Sequence, residues 1–132
     1  MKRAITGAQM LVRLTGLFQI VTGLLFWTGT ALALLPVHML AGLVLVLALW
    51  VLALLAARAG VGLRPVALTI LWGVVVVVLG LTQVQLLPGD FHWVIQVLHL
   101  LVGLAAMGLA ERLAARSTRV HLAERAAAAQ SA

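Results

Sequence analysis

The 132-residue sequence has no cysteine, which excludes disulfides, thiolate metal sites and a cysteine nucleophile. The residues best suited to ligate a metal are four histidines, His38, His92, His99 and His121. His99 lies deep in an apolar run. An imidazole left unpaired in hydrocarbon is costly, so a functional role is its default reading. His38 and His92 stand at apolar–polar borders, where a histidine can also simply be wetted, and His121 reads as solvated in a charged C-terminal stretch. Gly42 follows His38 by four residues and Gly103 follows His99 by four, so on a helix each glycine lies one turn away on its histidine's face. Two neutral imidazoles facing each other across a helical core form a bis-histidine site for a haem iron, and small residues clear the flat space a porphyrin needs. Gly16 and Gly23, and again Gly73 and Gly80, repeat the pattern at seven-residue spacing. Such spacing serves close helix packing in membranes equally well, and both readings stand.

The elements that must position these histidines follow from composition. The chain is 64% hydrophobic and 9% charged, outside the range of soluble globular domains and inside the membrane class. Uncharged stretches separate the basic residues, and each is long enough to cross a bilayer once and too short to cross twice. Backbone amides in lipid must be satisfied within the segment, so the spans are helices. The expected fold is therefore an all-α membrane protein: one domain over 1–132, a four-transmembrane-helix up-down bundle with spans near 10–35, 37–58, 65–87 and 91–115. Pro36 and Pro65 suit first helical turns, Gly60 and Gly62 end the second span, and Asp90 is placed to N-cap the fourth. The tail 116–132 reads as a cytoplasmic extension of the last helix that frays. Met1-Lys2-Arg3 before an apolar run, with Ala31-Leu32-Ala33 beyond, has the outline of a signal peptide; the run is longer than a signal core and reads as a retained helix.

Every lysine and arginine lies at one end: Lys2, Arg3, Arg13, Arg58, Arg64, Arg112, Arg116, Arg119 and Arg125, against Asp90 alone at the other. By the positive-inside rule the expected location is the plasma (inner) membrane with both termini cytoplasmic, N-in/C-in. The formal charge of +6 then points to lipid headgroups as partner and not to nucleic acid. No Lys, Arg, Asp or Glu lies deep in a span, which argues against a proton pump, a charged-ring channel or a carboxylate-based transporter.

The second and fourth spans run the same way, so His38 and His99 fall on a diagonal of the bundle. Counted from the cytoplasmic charges, His38 lies 20 residues above Arg58 and His99 12 above Glu111, an offset of roughly 12 Å at 1.5 Å per residue. His92, 19 residues above Glu111, matches His38 better and shares a face with His99. Spacing alone thus leaves His38–His99, with tilt or stagger, and His38–His92 both open.

The run Pro36-Val37-His38-Met39-Leu40-Ala41-Gly42, then Leu79-Gly80-Leu81-Thr82 before a proline turn, then Val97-Leu98-His99-Leu100-Leu101, resembles the haem A synthase family. That family has two similar four-helix halves, each with a histidine pair near the outer face, and residues 10–115 resemble one half. The resemblance implies His38 and His99 as axial ligands and His92 as their neighbour. It departs at three points. Leu35 stands where the family has its catalytic glutamate, Met39 replaces a basic residue often found there, and the outer cysteine pair is absent. Haem binding is thus the expectation and haem A synthesis is not.

The expected function is a bis-histidine b-type cytochrome for electron transfer or haem handling. Its cofactor is haem b, with His38 and His99 on the metal and His92, Gly42 and Gly103 lining the site, and no catalytic residue is assigned. Outer-side donors for haem propionates are limited to His92, Gln83, Gln85, Trp27 and Trp93, and His92 with Trp93 can equally mark the interface. A homodimer would reproduce the two-half arrangement, and a larger respiratory complex is the other partner class. The alternatives are a compact haem-modifying oxygenase and a cofactor-free accessory subunit of a membrane complex.

Overall fold

The computed structural model describes residues 1–131. Helices α1 (Lys2–Trp27), α2 (Leu35–Arg58), α3 (Leu63–Thr82) and α4 (His92–Gln130) are joined by short connections that include 3-10 turns at Leu32–Leu34 and Gln83–Gln85. There is no strand among the described residues. All four helices are long and apolar enough to cross a membrane. Their outward faces are leucine- and valine-rich: Leu14, Leu40, Leu71 and Leu81 are each more than 60% exposed. A girdle of that kind suits hydrocarbon and would associate in water.

The helix ends explain where the spans stop. Gly29 (φ +74°) and Gly60 (φ +80°) occupy the left-handed region, which a residue without Cβ adopts at low cost. Each closes a Schellman cap. Gly60 N–H donates to the Ala57 carbonyl (3.1 Å) and Val61 N–H to the Ala56 carbonyl (3.0 Å), while Gly29 and Thr30 donate likewise to Phe26 and Leu25. Pro36 sits in the first turn of α2 and Pro65 in that of α3, as their missing N–H groups favour. Two expectations need correction. The first span begins at Lys2 and ends at Trp27, eight residues before position 35. Asp90 makes no cap: the residue before α4 is Phe91, and no side chain bonds the first turn. The third α-helix ends at Thr82, and a 3-10 turn carries the segment on to Gln85.

The tail continues α4, as expected, but α4 packs further along than a span ending near 115 suggests. It does not leave the bundle near residue 115; Ser117 is buried and its hydroxyl donates to the Leu113 carbonyl at 2.9 Å. A Cβ on Gly60 would lie 3.4 Å from Val120 Cγ1. The basic end of the bundle therefore closes at the level of Val120, and the alanine- and arginine-rich segment, strong in helix propensity, continues as one helix to Gln130.

Successive helices run antiparallel: Thr22 meets His38, Trp50 meets Ile70, and Trp72 meets Val102. Among the described residues α2 touches α1, α3 and α4, whereas α1 and α3 do not meet, so α2 and α4 lie on the short diagonal. Alanines permit that approach. Ala53, Ala56, Ala106 and Ala110 are fully buried beside Leu49, Leu52 and Leu113, and small interfacial residues let helix backbones close in a bilayer. The indole N–H of Trp50 donates to the Ile70 carbonyl (3.1 Å) and that of Trp72 to the Val102 carbonyl (3.0 Å), tying α3 to both neighbours. Arg13 grips Glu111 through Nε (2.6 Å) and one terminal nitrogen (2.7 Å), and Gln9 Nε2 donates to the same carboxylate (2.7 Å). This fastens α1 to α4.

The packing is lopsided. The main core occupies the basic half, and α2 buries nothing ahead of Leu45. At the other end, a small cluster of Leu79, Ile95 and Val102 joins α3 to α4. The half that carries His38, His92 and His99 holds few buried side chains.

Candidate bis-histidine site

His38 is the fourth residue of α2 and His99 the eighth of α4. Their relative depth follows from the contacts of α1, which lies against both helices. Gly16 packs on Met107, and Gly23 faces the His38 ring, whose Cε1 would lie 3.9 Å from a Cβ there. Gly23 is seven residues above Gly16 on α1, and His99 is eight residues above Met107 on α4. The two histidines thus differ in depth by about one residue, roughly 1.5 Å. The interval counted from Glu111 misleads because α4 runs on inside the bundle to Val120. His38 is 22 residues from Gly60, and His99 is 21 from Val120. His92, a further seven residues up α4, sits about 10 Å above that level.

Thr22, buried on α1, orients the His38 ring. Its Oγ1 lies 2.8 Å from the Phe18 carbonyl and 2.6 Å from His38 Nδ1. A hydroxyl has one proton. With that proton donated to the Phe18 carbonyl, Oγ1 accepts from Nδ1–H, and the lone pair of the neutral imidazole resides on Nε2. This is the arrangement in which the second ring nitrogen is free to ligate. Phe26, one turn further along α1, packs edge-on against the same ring, with centroids 5.1 Å apart and planes at 63°. Neither Thr22 nor Phe26 stands out in the sequence, because nothing in the spacing links α1 side chains to a histidine on α2.

His99 presents the opposite condition. Among the described residues its Nδ1 is buried without a hydrogen-bond partner, as is Oε1 of Gln19, and an orphaned buried polar atom is costly. A Cβ at Gly80 would lie 3.4 Å from His99 Cε1, so Gly23 and Gly80 are the glycines that border the two rings. The pair expected from spacing behaves differently. Gly42 is covered by the Gln19 carboxamide, whose Nε2 occupies the place of a Cβ, while a Cβ on Gly103 would meet nothing within 4 Å. His92 turns its Nδ1 toward the Leu86 carbonyl (3.2 Å) in its own loop. Gln83 and Gln85 lie in the adjacent 3-10 turn, and Trp27 and Trp93 are exposed. His121 lies 3.6 Å from Glu124 at the basic end. Leu35 begins α2 with an exposed apolar side chain, and Asp90 is the sole carboxylate of that end.

No group of three or more metal-ligating His, Cys, Asp or Glu side chains gathers among the described residues. Two histidines can hold an iron whose remaining four positions are filled by a macrocycle. The donor set and the orphaned Nδ1 fit such a group. Comparison of the chain with protein-family models, characterised proteins and solved structures gives no match.

Proposed function

We propose that the chain spans the plasma membrane four times with both termini cytoplasmic and holds one haem b between His38 and His99, as a small electron-transferring or haem-handling cytochrome. The observation that carries this reading is the shared depth of the two histidines in the half of the bundle with few buried side chains. The Thr22 hydroxyl engages Nδ1 of His38 and leaves the lone pair to Nε2, and His99 has a nitrogen in need of a partner. Gly23 and Gly80 keep methyl groups away from the ring edges. His92, above the pair, is the candidate to receive a propionate, with Gln83 and Gln85 beside it. When bound, haem would supply one-electron chemistry, and filling both axial positions with histidine leaves none open for oxygen. With leucine at position 35, no carboxylate stands beside His38 to carry acid–base steps, so haem modification is not proposed. Pairing of two chains, giving two histidine pairs per dimer, belongs to the same reading.

The visible spectrum of detergent-purified protein, oxidised and dithionite-reduced, tests it. The expected result is a sharp low-spin Soret and α-band, lost in both His38→Ala and His99→Ala and retained in His92→Ala. Colourless protein from cells amply supplied with haem would refute the reading and favour a cofactor-free accessory subunit. A spectrum lost only in His92→Ala would refute the ligand assignment.

A further inference from the structure

At the basic end, α3 and α4 enclose a groove of about 250 Å³ bordered by Arg64, Arg112 and Arg116. Arg112 and Arg116 are one turn apart on α4, and Arg64 stands in the first turn of α3. Among the described residues, none of the three pairs with a carboxylate. Glu111 is held by Arg13 and Gln9, Glu124 lies beside His121, and Asp90 is at the opposite end. The first turn of α3 adds to the positive potential, since no side chain caps it from Gly62 and first-turn N–H groups lack intrahelical partners. Toward the middle of the bundle the same groove becomes apolar, lined by Leu68 one turn beyond Arg64 and by Leu109 ahead of Arg112. The larger cleft at this end, about 320 Å³, has a mixed lining in which Glu111 and Glu124 stand beside Lys2 and Arg58, so it favours an anion less.

We infer that the α3–α4 groove is a binding site for an anionic phospholipid, its phosphate held by Arg64, Arg112 and Arg116 and an acyl chain lying along Leu68 and Leu109. Guanidinium forks match phosphate oxygens, and the polarity of the groove, cationic outward and apolar inward, matches a phospholipid and not a soluble anion. Basic pockets between transmembrane helices on the cytoplasmic side favour such headgroups. The inference is independent of haem.

The test uses the full chain in a neutral detergent, with native mass spectrometry and thermal unfolding. The additions are phosphatidylglycerol, phosphatidylcholine or inorganic phosphate. Phosphatidylglycerol is expected to be retained and to raise the unfolding temperature. Arg112→Gln/Arg116→Gln is expected to weaken its binding about 30-fold, taking about 1 kcal/mol per arginine and 1.4 kcal/mol per decade. Arg119→Gln/Arg125→Gln, which removes the same charge elsewhere on α4, is expected to change it no more than about threefold, and the single variant Arg64→Gln should weaken it with helicity intact. Equal loss in the two double variants would reduce the effect to general surface charge and overturn the site. So would equal retention of phosphatidylcholine, or stabilisation by inorganic phosphate to which phosphatidylglycerol adds nothing.

Discussion

Replacing Thr22 by valine isolates the contact that orients His38. The two side chains have nearly the same shape, and the Phe18 carbonyl keeps its helical N–H partner, so the change removes one acceptor from His38 Nδ1–H at 2.6 Å. A partly buried donor left without a partner costs about 1–3 kcal/mol, which is roughly 5- to 150-fold in an equilibrium constant at 1.4 kcal/mol per decade. Loss of the partner behind a metal-bound histidine commonly costs about 10- to 100-fold in affinity. Haem titration of the apoprotein in detergent should therefore show binding weakened within that range. Thr69→Val is the control: Thr69 is also buried and its hydroxyl donates to the Pro65 carbonyl at 2.8 Å, with no ring behind it. Nitrogen-15 NMR of histidine-labelled apoprotein reads the tautomer directly. His38 should carry its proton on Nδ1 in the parent protein and lose that preference in Thr22→Val. A parent His38 protonated on Nε2, or equal haem affinity in Thr22→Val and Thr69→Val, would refute the reasoning.

Two further predictions concern the scaffold. Gly60→Ala should lower stability by about 1 kcal/mol, the cost of a left-handed residue with a Cβ, whereas Gly62→Ala, at φ −56° and with nothing within 4 Å of its Cβ, should be neutral or slightly stabilising; thermal unfolding in detergent compares them. For orientation, a fluorescent protein fused after Ala132 should fold and glow in the cytoplasm, and alkaline phosphatase inserted at Gly89 should be active. The reverse pattern would place the basic end outside, against the positive-inside rule.

Much of the fold was legible in the sequence because a bilayer imposes length, apolarity and charge placement on each segment separately. Runs free of charge located four helices, and Gly60, Pro36 and Pro65 marked ends through backbone geometry that depends only on near neighbours. The exit of α4 was not legible. Glu111 and Arg112 look like a membrane border, yet Glu111 is drawn to Arg13 on α1, and the helix continues packed as far as Val120. Charge in a sequence shows where a helix can meet water, and only packing shows how far neighbouring helices slide past one another.

That sliding decided the candidate site. His38 and His99 were identifiable from residue type and apolar context alone, since an imidazole within a hydrocarbon span demands a reason. Which histidine lies at the depth of His38 depends on the stagger of α4 against its neighbours, set by contacts such as Gly16 with Met107 and Gly60 with Val120 that join residues more than 50 positions apart. The role of Gly42 changed for the same reason: its open face is filled by Gln19 from α1, while Gly23 and Gly80 border the rings. Residue chemistry and helical period are local properties that one sequence carries by itself. The depth match, the Thr22 partner and the orphaned nitrogen of His99 arise between helices, and they exist only once the bundle is assembled.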